Sequence, residues 1–577
     1  VAIKGPLGTS IQGSASNVVE ADKVFMVEGP IRSVDAFKTD ALGFMASAKG
    51  IESQLGLVGE VKAGIILDAL GDLSIDSKGL DLSSWHQDGR AGVLTLMAGG
   101  SIQINGSLSD GFVNNPDAIK LADGKSVGIN DQLQTENSWS YRMIAGKDIV
   151  IGADQFVRTG TGNIELNAGH DVVLSNAGSA IYTMGKATTT QRYGSLTDST
   201  ALQHYLGEYP IEGGSISLTA GHDVLGAVTG QFFDGWLQRA GNWANTPDHS
   251  GQTPTSWAVH VGGLASGAQV AFNQNIGALG GGNVTVNAGH DVTDLSVIVA
   301  TSGKPVGTLA QPGDASSTDY LTNQVQVGGG GDIRVQAADN IYGGTYYTGQ
   351  GTADIQAQGS ILASSKTGIG AVLALGDSQY TLSAGDQLVV GAALNPTVIS
   401  NNSSSNYFFT YSPSSALALN ALSGTIDLQN DTTKLISELN QIRPYSDRIL
   451  FPGLAADALT VYPASLGVTA VQGNIEINNS LVMFPSALGS FNLNAGGDIT
   501  TSDLQSFVYV TMSDADPTLL PSASLPVSSW NDASRRLQPF GLANYIHAKT
   551  PVHSADTQLA QINACLLYTS PSPRDQR

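Results

Sequence analysis

The amino-acid sequence predicts an all-β solenoid, a parallel β-helix with inserted loops and a few short helices, and three observations lead there. A short alternating strand followed by a turn of small residues recurs along the chain. Glycine accounts for 69 of 577 residues, while charged side chains make up only 13%, about half the usual share. The length is also too great for one compact core. An elongated repeat fold escapes that limit, because each coil buries its apolar face on its neighbours. Apolar residues still reach 41%, enough to build a core.

The repeat is clearest in Gly162-Asn-Ile-Glu-Leu-Asn-Ala-Gly-His-Asp-Val172. It returns from Gly214 to Val224 and from Gly282 to Val292, with weaker copies starting at Val93, Asp332, Tyr380 and Phe491. Every second residue is apolar, as in Ile164, Leu166 and Ala168, which is the signature of a strand with one buried face. Ala168 is small, as a tight corner facing a core requires. Gly169 suits a turn that needs positive φ, and Asp171 suits a hydrogen bond to the turn backbone. His170 and His222 are 52 residues apart, and His222 and His290 are 68 apart. Those gaps predict several coils each, some with inserted loops. Roughly twenty coils at ~4.8 Å would make a rod on the order of 100 Å long.

The chain divides accordingly. Residues 1–60 read as an incomplete N-terminal part of the solenoid and 61–510 as the β-helix with irregular insertions. Residues 511–564 carry Pro517, Pro521, Pro526 and Pro539 with little alternation and read as a non-repetitive segment. Residues 565–577 look like a translated sequencing adapter, with the frame lost near Ala564, so that Cys565, the only cysteine, is artificial. The start at Val1 reads as truncation. Segments 185–210, 231–258 and 304–322 are polar, Gly/Thr-rich or aromatic and are expected to be loops leaving the rod. Residues 35–48 and 432–442 have helical spacing.

The net charge of −22 sets aside nucleic acid and anionic lipid as partners, and no apolar run approaches the ~20 residues of a membrane helix. Chemistry is sparse. The Gly-His-Asp triplets at His170, His222 and His290 suggest a metal or acid–base pair. However, adjacent strand residues face opposite ways, the equivalent turns hold Lys147, Gly100 and Gly497, and the long gaps argue against neighbouring coils. These histidines are therefore expected to be exposed turn residues. The run Gly328-Gly-Gly-Gly-Asp332 resembles a calcium-binding glycine-rich repeat, but it occurs once. No P-loop, HExxH or GxSxG motif is present. Catalytic, cofactor-binding and metal residues are all expected to be none. Aromatics gather at Phe232, Phe233, Trp236 and Trp243, at Tyr342, Tyr346 and Tyr347, and at Tyr407, Phe408, Phe409 and Tyr411. They are expected to pack loops onto the rod, with a glycan or receptor contact as the alternative.

An ordered series of stretches carries a family resemblance. It includes Trp139-Ser-Tyr-Arg142, Ser179-Ala-Ile-Tyr-Thr183, Gly343-Gly-Thr-Tyr-Tyr347, Phe408-Phe-Thr-Tyr-Ser412 and Tyr462-Pro-Ala-Ser-Leu466. Over most of residues 60–510 the chain resembles the filamentous haemagglutinin-like large exoproteins of two-partner secretion, in a poorly characterised domain of their C-terminal part. The resemblance implies a right-handed parallel β-helix, export through an outer-membrane two-partner transporter, and display as a secreted or bacterial cell-surface protein. A structural or adhesive exoprotein is the expected function, its rod presenting loops to a receptor or glycan on host or neighbouring cells. The alternatives are the stalk of a contact-dependent toxin and a β-helix glycan lyase or hydrolase. Acidic residues sit mostly in turns and the 27 basic residues do not cluster, so no enzyme is expected.

Overall fold

The computed structural model describes residues 17–31, 34–55, 59–120, 124–188, 190–192, 206–231, 233–242, 253–264, 271–305, 325–398, 408–431, 434–435, 460–501, 508 and 510–512. The expected all-β parallel β-helix is what forms. Each coil has three sides, and each side stacks on the same side of the next coil. The first side runs from Asn17–Met26 through Gly59–Ala69, Val93–Ala98, Ser140–Ala145, Ile164–Ala168, Ile216–Ala220, Val284–Ala288 and Ile333–Ala337. It continues through the second halves of Thr345–Ala357 and Ala371–Ala384 to Ala416–Ala421, Ser465–Ala470 and Ser490–Ala495. All of these pairings are parallel. The second side is a column of two- and three-residue strands such as Ile149–Ile151, Val172–Leu174 and Val224–Leu225. The third holds Phe156–Thr159, Ala180–Thr183, Ile276–Ala278 and Val297–Val299.

Thirteen coils stack along the first side, giving a described rod of about 60 Å, shorter than the twenty coils and 100 Å expected. The reason is that much of the chain leaves the rod. Successive corners are 23 residues apart from Asp148 to Asp171 and 20 from Asn340 to Ser360, yet 52 and 68 across the two coils between Asp171 and Asp291. Each long gap is one coil plus an insertion.

The core follows from the alternation. Ile164 and Leu166 stack on Ile216 and Leu218, then on Val284 and Val286, all essentially inaccessible to solvent. After the first, which ends on Met26, each strand of this side ends on alanine, and Ala145, Ala168, Ala220, Ala288 and Ala337 lie in register. Methyl groups suffice there because the wall turns inward. The glycine that follows has a different reason from the one expected. Gly169, Gly221 and Gly289 are not among the positive-φ residues. Instead, a Cβ on Gly221 would sit 2.2 Å from the Gly169 carbonyl oxygen, and one on Gly289 would sit 2.1 Å from that of Gly221. Close approach of coil to coil selects glycine. Gly221→Ala is therefore expected to cost roughly 2–3 kcal/mol through overpacking against backbone that cannot yield, read as a lowered urea midpoint. A change below about 0.5 kcal/mol would refute this account.

Helix α1 spans Asp35–Leu55, longer than the 35–48 expected. It buries Ala41, Met45, Ala48 and Ile51, one helical face, and Ala41 and Met45 join the core of Ala63, Ile65 and Leu67. The helix occupies the place in the chain where the first coil's third side would be. Arg90 and Glu52 hold it by a bidentate pair at 2.6 and 2.8 Å. Of the helix expected over 432–442, Lys434 and Leu435 are helical; the rest lies outside the described residues, as do 513–577 and 1–16.

Where they are described, the insertions expected to be loops form a unit of their own; residues 193–205, 243–252 and 306–322 of those segments lie outside the described residues. Thr190–Arg192, Leu206–Glu208, Leu237–Asn242, Thr253–Val259, Thr301–Pro305 and Val325–Gly329 make one antiparallel sheet from three separate coils. A smaller sheet of Phe112–Lys120, Ser126–Leu133 and Gly263–Leu264 joins them. This unit covers the outside of the third side, whose strands are consequently buried on both faces. The second core so formed contains Tyr182, Phe233, Trp236, Trp257, Phe272 and Tyr347. Thus Phe233, Trp236, Tyr346, Tyr347, Phe408 and Phe409 are buried packing residues. Phe232, Trp243 and Tyr407 lie outside the described residues.

Candidate functional site

The corner between the first and second sides holds the most organised chemistry. Backbone bonds carry it from coil to coil: the His170 N–H donates to the Lys147 carbonyl, His222 to His170, His290 to His222 and Asp339 to His290, each at 2.9 Å. Three imidazoles thereby stack on consecutive coils, with centroids 5.0 and 4.6 Å apart and ring planes within 6° and 11° of parallel. This corrects the expectation that long gaps keep them apart. The residues in between leave the rod as the side unit, so a count along the chain does not measure distance along the rod.

The aspartates form a parallel rail. Asp148 Oδ1 accepts from the Asp171 N–H at 3.1 Å, Asp171 Oδ1 from Asp223 at 2.9 Å, Asp223 Oδ1 from Asp291 at 2.9 Å, and Asp291 Oδ1 from Asn340 at 2.8 Å. Each carboxylate thus satisfies a corner N–H of the next coil, which would otherwise lack a partner in the ladder. The turn aspartate was expected to bond its own turn. It bonds the neighbour's.

Histidine and aspartate also converge, which period-2 strand geometry had ruled against; they sit in a turn, where that geometry does not hold. His170 Nδ1 is 2.9 Å from Asp148 Oδ1 and 3.2 Å from Asp171 Oδ2. His222 Nδ1 is 3.3 Å from Asp171 Oδ1 and 3.2 Å from Asp223 Oδ2. His290 Nδ1 is 2.9 Å from Asp223 Oδ1 and 3.5 Å from Asp291 Oδ2, and its Nε2 is 3.5 Å from Asp339 Oδ2. The hydrogen bond to Asp148 raises the His170 pKa above its ordinary value, and Asp223 does the same for His290. Partial burial pushes the Asp148 and Asp223 carboxyls upward, but the backbone N–H and the imidazole on each outweigh it and leave both lowered.

Two other buried polar groups tie elements of the fold together. Asp110 is fully buried and accepts from His86 Nε2 at 2.9 and 3.0 Å, from the Gly111 N–H at 2.7 Å and from the Trp139 N–H at 2.6 Å. Arg158 pins the side unit to the rod, donating to Ser109 Oγ at 2.8 Å, Tyr182 Oη at 3.0 Å and Asp131, between the rings of Phe112 and Phe156. Glu208 lies buried at the same seam, where burial pushes its carboxyl up to about 8. The glycine run ending at Asp332 forms the return from the side unit to the rod; Asp332 Oδ1 accepts from the Thr352 N–H and hydroxyl. No helix among the described residues is long and apolar enough to cross a membrane.

Comparison of the chain with family models, curated proteins and solved structures yields no match.

Proposed function

We propose that this chain is a secreted or cell-surface structural and adhesive exoprotein, a rigid β-helical rod that holds its side unit out towards a receptor or glycan on a host or neighbouring cell. The observation that carries this reading is that insertions from consecutive coils assemble into one antiparallel sheet on one side of the rod. A rod of constant-length coils would need no insertions and no second core to cover; a platform built from three coils at once favours presentation of a surface. Export through a two-partner transporter follows from the resemblance in the rod sequence. The turn carboxylates favour a scaffold over a glycan-active enzyme, since each on the rail holds a backbone N–H.

The test is a binding and turnover experiment with the full chain. Fluorescently labelled protein is expected to bind epithelial or bacterial cells saturably, and to release no reducing or unsaturated ends from acidic and neutral polysaccharides. Absence of saturable binding together with release of sugar ends would replace this reading with an enzymatic one.

A further inference from the structure

We propose that the histidine–aspartate corner binds divalent transition-metal ions of the zinc type, held between successive coils by His170, Asp171 and His222 and by His290, Asp291 and Asp339. The ligand atoms of each group lie within 4.8 Å of one another, as do those of the intervening set His222, Asp223 and His290. Asp171 presents one oxygen to each of two imidazoles, Oδ2 to His170 Nδ1 at 3.2 Å and Oδ1 to His222 Nδ1 at 3.3 Å. A tetrahedral zinc ion with arms of ~2.0–2.1 Å has ligand-to-ligand edges of roughly 3.3–3.4 Å. Each nitrogen–oxygen spacing is close to such an edge; bringing both imidazole nitrogens onto one ion requires the exposed rings to turn out of their parallel stack.

Three features separate this corner from a chance cluster of charges. The ligands are imidazole and carboxylate in alternation, a donor set suited to zinc, nickel or copper over calcium or magnesium. The backbone that carries them is fixed by the coil-to-coil hydrogen bonds of the ladder, so the spacing is preset by the fold. The imidazoles are also confined to three consecutive coils, in a column where the flanking positions are Lys147 and Asp339. The histidine side chains are 57%, 45% and 43% exposed, open to an entering ion and to water as the remaining ligand. The three sets share His222 and His290, so filling the central set empties both outer ones. Saturation is therefore reached at two ions, one in each outer set.

Those same coils emit the side unit, so an ion here would clamp the part of the rod from which the insertions depart.

The experiment uses the full chain stripped with chelator and titrated calorimetrically with zinc chloride, with calcium and magnesium chloride as hard-ion probes. Zinc is expected to bind with up to two equivalents lost on mutation, and to raise the melting temperature, while calcium and magnesium do neither. Copper(II) in place of zinc should give an electron paramagnetic resonance signal with imidazole nitrogen couplings. The variant H170Q/H222Q/H290Q keeps the corner backbone, as the lysine and glycine at equivalent turns show is possible, and its fold is checked by circular dichroism. It is expected to lose those equivalents, the melting shift and the nitrogen couplings. The single variant His222→Gln should weaken the first set at least roughly tenfold and leave the His290 set. Zinc binding, stabilisation and copper couplings unchanged in the folded triple variant would overturn the proposal, as would absence of zinc binding to the parent chain.

Discussion

Raising the pH from 5 to 8 is expected to lower the unfolding free energy by roughly 4 kcal/mol, and Glu208→Gln is expected to remove most of that fall. Burial at the seam between rod and side unit pushes the Glu208 carboxyl from an ordinary 4.5 up to about 8, and the Leu133 N–H opposes this only weakly at 3.3 Å. The folded state therefore keeps its proton through a window in which the unfolded chain has released it. Between the two pKa values the folded state binds more protons, and stability falls by about 1.4 kcal/mol for each pH unit raised. Further groups act in the same direction, among them Asp427 and His86. Asp427 is raised to about 6 by burial and the nearby Glu476. His86, although burial opposes its charge, is raised by Asp110 and Glu136; its contribution is complete below the unfolded pKa and is lost as pH climbs through the folded one. Urea denaturation followed by tryptophan fluorescence at the two pH values is the measurement. A stability that is flat or rising over this interval, or a fall that persists undiminished in the glutamine variant, would refute the assignment. Because coils unfold semi-independently in a solenoid, the loss should appear first in the side unit, where Trp236 and Trp257 report.

Asp110→Ala is the second large effect, a loss of about 3–5 kcal/mol. The carboxylate is buried, and four donor contacts converge on it from His86, Gly111 and Trp139. Removing it strands a raised-pKa imidazole and two N–H groups away from water, which costs far more than the contacts themselves contribute. Asp110→Asn keeps an acceptor and should cost clearly less. The near-ultraviolet circular dichroism of the Trp85–Trp139 pair, edge-on at 5.8 Å and 89°, should weaken in step with the melting temperature. An alanine variant within 1 kcal/mol of the parent would show that the cluster relaxes or hydrates instead.

Much of the rod was legible in the residues because its rule is local. Ile164, Leu166 and Ala168 alternate with Glu165 and Asn167, and alternation over five residues is enough to assign a buried face. The aromatic rings of Phe233, Trp236, Tyr347 and Phe408 were also placed correctly as packing groups, since large apolar side chains in otherwise polar insertions must find a surface to cover. The sheet they sit on was not legible. Its strands are short and polar, and Trp257 pairs with Gly303, a partner set by how the rod brings two insertions together.

The corner shows the same division at the level of single residues. The chain by itself determined that Ala168, Gly169, His170 and Asp171 make a turn, and that Gly221 and Gly289 repeat it. Only the stacked coils decided why: glycine for the carbonyl of the coil beside it, aspartate for that coil's N–H, and histidine in a continuous stack. Sequence periodicity reports which face of a strand is buried, because burial alternates residue by residue. It cannot report which residues share a rung, because that depends on how much chain leaves the rod between one turn and the next.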